Sequence, residues 1–278
     1  MRALFTRLLV ICTLLFAGVT GAANADKSAA EKRSLDQILS AGTLRVGVYL
    51  LEPYVMQGPN GLVGSEIDIA TRVARDLGVK PEFKLYDWPA LIPALQKGEI
   101  DIISAGMSIT PERALQVYFS NPYQSSGISI ATNIKLTSEF SNLSDLNNPR
   151  VAIGVIGGTV SEQVAREVFD KAAVKTFSEE AKAEDALVKG LLHAYVRSEP
   201  VPRFLALRHP AEVDVPISKP LLSTQEAFAV RKGDYDFVNF LNAWIATRTA
   251  DAWLTSTHRF WFDSLNWQTE VAAPAAQK

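Results

Sequence analysis

Apolar residues along this chain recur with two spacings that take turns, and glycine or proline marks the changes between them. Residues 44–49 have strand character, Gly58-Pro59-Asn60-Gly61 is a turn, and from Glu66 the positions Ile67, Ala70, Val73, Ala74 and Leu77 trace one helical face that Gly78 stops. The same reading predicts a strand over 82–85, then a helix carrying Leu91, Ala94 and Leu95 that Asp87 can cap and that ends near Gly98. Pro93 is awkward inside that helix. A buried strand over 100–105 leads to a helix opening at Thr110-Pro111, and residues 128–133 are extended and β-rich. A fresh series follows, with strands 150–156, 174–177 and 193–196 interleaved with helices 159–171 and 180–189. A strand over 226–230 precedes helices 235–247 and 250–261, and the composition of 266–278 predicts a disordered tail. Strands that alternate with helices imply α/β layers on largely parallel sheets.

The N-terminus follows neither spacing. Arg2 and Arg7 stand at a basic start, an apolar run covers 8–17, and Ala23-Asn24-Ala25 has the small-x-small pattern of a signal-peptidase site. Residues 1–25 therefore read as a secretory signal cleaved after Ala25, followed by a polar lead over 26–34, and the periplasm is the expected destination. The run is shorter than the roughly 20 residues of a spanning helix and no later segment approaches that length, so the cleaved chain is not expected to span a membrane. Val10 and Ile11 precede Cys12 where a lipoprotein signal would want small residues.

Composition then narrows the function classes. The 278 residues include 28 Lys+Arg, 30 Asp+Glu, 47% hydrophobic residues and one cysteine, enough for one large or two ordinary packed domains. Loss of residues 1–25, which hold two arginines and no acid, changes the formal charge from −2 to −4 and removes the thiol. The absence of a basic excess argues against a general nucleic-acid binder. A single cysteine makes neither a disulfide scaffold nor a cysteine-ligated zinc site.

Two strand-to-helix turns carry candidate chemistry. In Ser108-Ile109-Thr110-Pro111-Glu112-Arg113, Thr110 is a good N-cap and Pro111 suits the first helical position, which puts Arg113 in the first turn, where the helix dipole disfavours a cation. An anion held by the Arg113 fork with hydroxyls such as Ser108 would remedy that; a salt bridge to Glu112 is the plainer alternative. In Gly157-Gly158-Thr159-Val160-Ser161-Glu162, glycines allow close approach to a ligand and free amides attract an anion, but Thr159 and Glu162 also have capping-box spacing. The turn is neither a Walker loop nor a dinucleotide motif. Tyr54, Trp88 and Tyr123 lie at element boundaries near these turns, where each serves a pocket or the core. His193, His209 and His258 lack metal-ligand spacing and no Gly-x-Ser-x-Gly elbow is present, so neither a metal nor a cofactor is expected.

These residues carry a resemblance. Leu35-Asp36-Gln37-Ile38-Leu39 with Gly42-Thr43-Leu44-Arg45-Val46-Gly47, Leu91-Ile92-Pro93-Ala94-Leu95 with Gly98-Glu99-Ile100-Asp101, Gly106-Met107-Ser108 running on to Arg113, Phe119-Ser120-Asn121-Pro122-Tyr123 and Ala229-Val230-Arg231-Lys232-Gly233-Asp234 resemble the bacterial extracellular solute-binding proteins of family 3, over roughly residues 35–262. The resemblance implies two α/β lobes, 35–130 with 225–265 and 131–224, joined by two crossover strands. They would close by hinge motion on a small carboxylate-bearing solute, an amino acid or related organic acid, and deliver it as a monomer to the permease of an ABC importer. It implies Arg113 and Ser108 at the ligand carboxylate, Gly106 as a backbone contact, Thr159 from the second lobe, and Tyr54 as an aromatic wall; Trp88, beside the same turns, is a further candidate for the pocket. Where the family's amino-acid binders place an aspartate for the ligand ammonium, this chain has Ser198 in the run Arg197-Ser198-Glu199-Pro200, so Glu199, Glu52 or Glu66 takes over or the ligand lacks an amino group. Asp87-Trp88-Pro89-Ala90-Leu91, Gly157-Gly158-Thr159 and Arg208-His209-Pro210 are also similar to periplasmic cyclohexadienyl dehydratases, but Ser161 stands where that branch has its general-acid glutamate. Binding without turnover is the expectation. A sensory receptor domain is a third class, for which the chain offers no signalling region.

Overall fold

The computed structural model describes residues 35–263 and 265–272. The segments read as signal and polar lead, and the last six residues of the tail, lie outside them. Helix α1 (Leu35–Ala41) leads into β1 (Thr43–Val48), the hairpin β2 (Met56–Gly58) and β3 (Gly61–Val63), α2 (Ser65–Asp76) and β4 (Lys80–Leu85). A single 3-10 turn over Trp88–Ala90 opens α3 (Leu91–Lys97), followed by β5 (Ile102–Ile103), α4 (Pro111–Ala114) and β6 (Tyr118–Phe119). Pro93 falls in the first turn of α3, where a missing N–H breaks no helical bond, and left-handed Gly98 closes the helix at φ 76°.

Strand β7 (Gln124–Asn133) leaves this first series and is longer at its N-terminal end than the apolar run 128–133 suggested. After α5 (Ile134–Thr137) the second series runs β8 (Ala152–Ile156), α6 (Val160–Val168), β9 (Ala173–Phe177), α7 (Glu180–Val188), β10 (Ala194–Ser198), α8 (Val201–Arg208) and β11 (Val213–Asp214). The chain returns through β12 (Leu222–Glu226) and β13 (Ala229–Val230) to α9 (Tyr235–Ala250), α10 (Trp253–Phe262) and α11 (Trp267–Ala272).

The pairing separates two sheets. The first has the order β4-β1-β5-β13-β6, with β1 parallel to β4 and β5 and the late strand β13 antiparallel to β5 and β6. The second has the order β11-β7-β10-β8-β9, with β12 antiparallel to β7 from Leu222 opposite Ile128 to Glu226 opposite Gln124. Thus β7 and β12 are the paired strands that carry the chain out of the first lobe and back. Period-two alternation sorts the second sheet's faces: Ala194 and Val196 pack with Ile153, Val155, Val164 and Phe169 beneath α6, whereas Tyr195 joins the larger core on the opposite face.

Three features depart from the sequence pattern. The predicted strand over 100–105 pairs only at Ile102 and Ile103. Helix α8 was absent from the prediction, and the tail read as disordered begins with α11. There Trp267, 3% exposed, packs 5.7 Å from the Trp261 ring and 6.3 Å from Phe204 of α8. No helix among the described residues is long and apolar enough to cross a membrane.

Candidate functional site

Arg113 is placed by local rules. Thr110 Oγ1 accepts the Arg113 amide at 3.2 Å, capping α4 as its spacing predicted, and the guanidinium turns back so that Nη1 donates to the Ser108 carbonyl at 2.9 Å. Nη2 reaches across to the Gly158 carbonyl at 3.4 Å, and the group lies over the Trp88 ring, 5.3 Å from its centroid. No acidic side chain among the described residues forms an ion pair with Arg113, so the salt bridge to Glu112 is not made. Loss of solvent pushes its pKa down to about 10, the sign of a cation whose charge lacks a full counterion.

Seven of the eight sequence-nominated residues meet around one cavity: Tyr54, Trp88, Gly106, Ser108 and Arg113 from the first lobe, Thr159 and Ser198 from the second. Leu51, Val160, Arg197 and Glu226 complete the walls, which close to about 10 Å³, the room of roughly one water. Gly106 has a structural reason to be glycine: at φ 61° a Cβ would sit 2.5 Å from Tyr54 Cε1, so only a residue without one admits the ring. Trp88 Nε1 donates to the Gly158 carbonyl at 3.1 Å, which joins the lobes at the same oxygen that Arg113 reaches. Thr159 Oγ1 is spent within its own turn, donating to the Ile156 carbonyl and accepting the Glu162 amide. Glu162 does cap the turn, though it accepts the Gly158 amide at 2.8 Å where its spacing suggested that of Thr159, and it also pairs with Arg166.

Glu199 is the nominated residue that is not brought in. The residue lines a separate cavity with Gln124, Arg203 and His258, and its carbonyl accepts the Tyr54 hydroxyl at 3.0 Å. The other proposed substitutes for an ammonium acceptor are likewise engaged. Glu52 pairs with Arg208 at 2.7 Å, and Glu66 is fully buried behind Gly106, accepting from Ser104 Oγ at 2.5 Å and Tyr123 OH at 2.9 Å. Burial raises Glu66 to about 7.

Two charged residues at the cavity escaped the sequence reading. Arg197, 2% exposed, shares a face of β10 with Tyr195, and its Nε and Nη2 donate to Glu180 Oε1 at 2.8 and 2.5 Å. Burial works against its charge, but Glu180 more than offsets this and holds Arg197 above its ordinary value. The signal was an arginine in an otherwise apolar strand run, a position that demands a partner. Glu226 closes β12, with Oε1 at 3.0 Å from the Tyr54 hydroxyl and Oε2 accepting from Gln124 Nε2 at 3.0 Å. Burial, reinforced by Glu66, holds it well above the usual carboxylate range. Beyond Leu51, a larger cavity of about 760 Å³ is lined by Tyr49, Tyr86 and the acids Glu52, Asp87, Glu179, Glu180 and Glu184.

Two sheets are joined by paired crossover strands, with an arginine at their junction that pairs with no acid among the described residues, and the bacterial extracellular solute-binding protein family 3 model matches residues 44–264. The chain belongs to that family. This family 3 protein is similar to the L-cystine-binding protein TcyJ of Escherichia coli, at 29% identity over 85% of this chain and 88% of that one. It is also similar to the cyclohexadienyl dehydratase of Pseudomonas aeruginosa, at 28% identity over 89% and 92% of the two chains. Among solved structures, the ancestral amino acid-binding protein AncCDT-1, a precursor of cyclohexadienyl dehydratase, aligns at 38% identity with a TM-score of 0.76, covering 82% of this chain and 99% of that one.

Proposed function

We propose that this protein captures a small carboxylate-bearing solute, an amino acid or related organic acid, in the periplasm for an ABC importer, with Arg113 as the carboxylate partner. The observation that carries the reading is a guanidinium in the cleft with no acidic counterion among the described residues, bracketed by Ser108, Trp88 and the Gly158 carbonyl of the other lobe. A bidentate carboxylate is the natural complement of that fork. The cavity walls leave about 10 Å³, so entry requires the lobes to part, and differential contacts with the solute then favour closure. Because the adjoining cavity is lined by acids, a neutral or cationic tail suits it better than an anionic one. Residues 35–130 with 225–265 form the first lobe and 131–224 the second in this reading, after export directed by residues 1–25 and with the protein acting as a monomer.

The test is a thermal-shift screen over amino acids and small organic acids, since a ligand that binds only the folded state raises the midpoint. The hit is then titrated calorimetrically into wild type and Arg113→Ala. Affinity should fall at least 100-fold in a variant that still folds; unchanged affinity refutes the assignment.

We read the site as binding without turnover. Ser161 at the second helix start is fully buried, and its Oγ has no hydrogen-bond partner among the described residues. Glu162 beside it is committed to the Gly158 amide and Arg166. A general acid has to reach a leaving group with a labile proton; the buried Ser161 hydroxyl is too weak an acid, and Glu162 is held elsewhere. Sustained conversion of prephenate or arogenate, lost in Glu162→Gln, would establish the dehydratase alternative.

A further inference from the structure

The chemistry around Arg113 sorts possible solutes further, on the reading that the cleft is the binding site. Two guanidinium groups and one carboxyl group line the cavity: Arg113, Arg197 and Glu226. Arg197 is already matched by Glu180, so that pair contributes no net charge.

Glu226 is read from its burial and its hydrogen bonds. The Tyr54 hydroxyl has one proton and shares it between two acceptors at 3.0 Å, the Glu199 carbonyl and Glu226 Oε1, so neither receives a full hydrogen bond. Glu226 is 1% exposed, its other oxygen takes the Gln124 amide, and burial reinforced by Glu66 favours its neutral form.

What the walls still offer is a cationic donor and neutral hydroxyls. Arg197 Nη1, which can do nothing but donate, forms no hydrogen bond among the described residues, because only Nε and Nη2 are used on Glu180. Ser198, at the end of the same strand, presents a hydroxyl. A zwitterion whose carboxylate met Arg113 would cancel that charge and leave its ammonium with no ionised acceptor to pair with. An uncompensated buried charge is among the costliest features a site can hold. An oxo or hydroxyl oxygen in the ammonium's place would accept from the groups that repel it.

The geometry points to a carboxylic acid bearing an oxo or hydroxyl group, and no amino group, on the carbon next to the carboxylate. Arg197 and Ser198 are on this account the residues that set specificity, Arg197 by repelling an ammonium and Ser198 by standing as a neutral hydroxyl where an ionised acceptor would be needed.

The experiment is calorimetric titration of protein stripped of bound ligand by unfolding and refolding, using matched sets: alanine, pyruvate and lactate; phenylalanine, phenylpyruvate and phenyllactate; arginine and its oxo analogue. In every set that binds, the oxo or hydroxy acid should bind at least tenfold tighter than its amino acid. Ser198→Asp, which supplies an ionised acceptor, should move that preference at least tenfold toward the amino acid. Equal or tighter binding of the amino acid by wild type overturns the inference, as does binding by none of the compounds or an unmoved preference in a folded Ser198→Asp. Arg113→Ala separates the two levels: loss of both classes supports the site, whereas retained affinity for oxo acids overturns the site while the wild-type comparison still decides the class.

Discussion

Removing Glu180 tests the electrostatic frame of the cleft, because its loss strands a guanidinium that has almost no access to water. Arg197 is 2% exposed and gives Nε and Nη2 to one Glu180 oxygen, while Tyr195 donates to the other and Tyr49 OH reaches the first at 3.2 Å. Taking one partner from a buried pair costs about 3–5 kcal/mol, since the remaining charge keeps its desolvation penalty without its attraction. In a folded chain of this size 1 kcal/mol moves the melting point by about 2–4 °C, so Glu180→Ala should lower it by about 6–20 °C. The double variant Glu180→Ala with Arg197→Met removes the stranded charge as well and should recover at least about 1.5 kcal/mol relative to Glu180→Ala alone. Urea unfolding followed by circular dichroism, with the single and double variants in one cycle, measures the coupling directly. A cost below about 1 kcal/mol for Glu180→Ala, or a double variant as damaged as the sum of its singles, refutes the pairing.

Two further outcomes follow from the same geometry. Trp88→Phe keeps the ring beneath Arg113 but removes the donor to the Gly158 carbonyl, so the ligand-free protein should spend more time open, seen as a larger radius of gyration in solution scattering; an unchanged radius would show that this contact does not hold the lobes together. Burial raises Glu66 and Glu184 to about 7 from 4.5, so between those pH values the native chain holds protons that the unfolded chain has released. Stability is therefore fullest below about pH 4.5 as far as these groups act and declines as pH rises toward 7, by on the order of 1–3 kcal/mol for a fully buried acid. Melting points across that window should show this slope, and Glu66→Gln should flatten it; a slope unchanged in the variant would mean that Glu66 does not titrate there.

How far the sequence reached depended on whether a feature was local. Arg113 stood out because a cation in a first helical turn conflicts with the dipole, and the conflict survives folding: Thr110 caps its amide and no acid among the described residues pairs with its guanidinium. Gly106 and Trp88 were nominated with it, and both lie at the cavity, but the reason for Gly106 is the Tyr54 ring, 52 residues upstream in the chain. Helix α8 was hidden because Pro200 and Pro202 look like breakers, although a helix start tolerates them where no N–H is owed. The pairing of Arg197 with Glu180 depends on α7 packing against β10, and the bond between Glu226 and Tyr54 joins residues 172 apart. Such contacts become legible only once the sheets are assembled. Glu199, an acid beside a serine in the sequence, lines another cavity, since successive residues at a strand end face opposite ways.

The most direct test is a crystal structure of the protein with the solute found by the screen. The account predicts both carboxylate oxygens within about 3 Å of the Arg113 guanidinium, between Ser108 and the second-lobe turn at Gly158 and Thr159. A solute seated in the acid-lined cavity beyond Leu51 with its carboxylate away from Arg113 would contradict it.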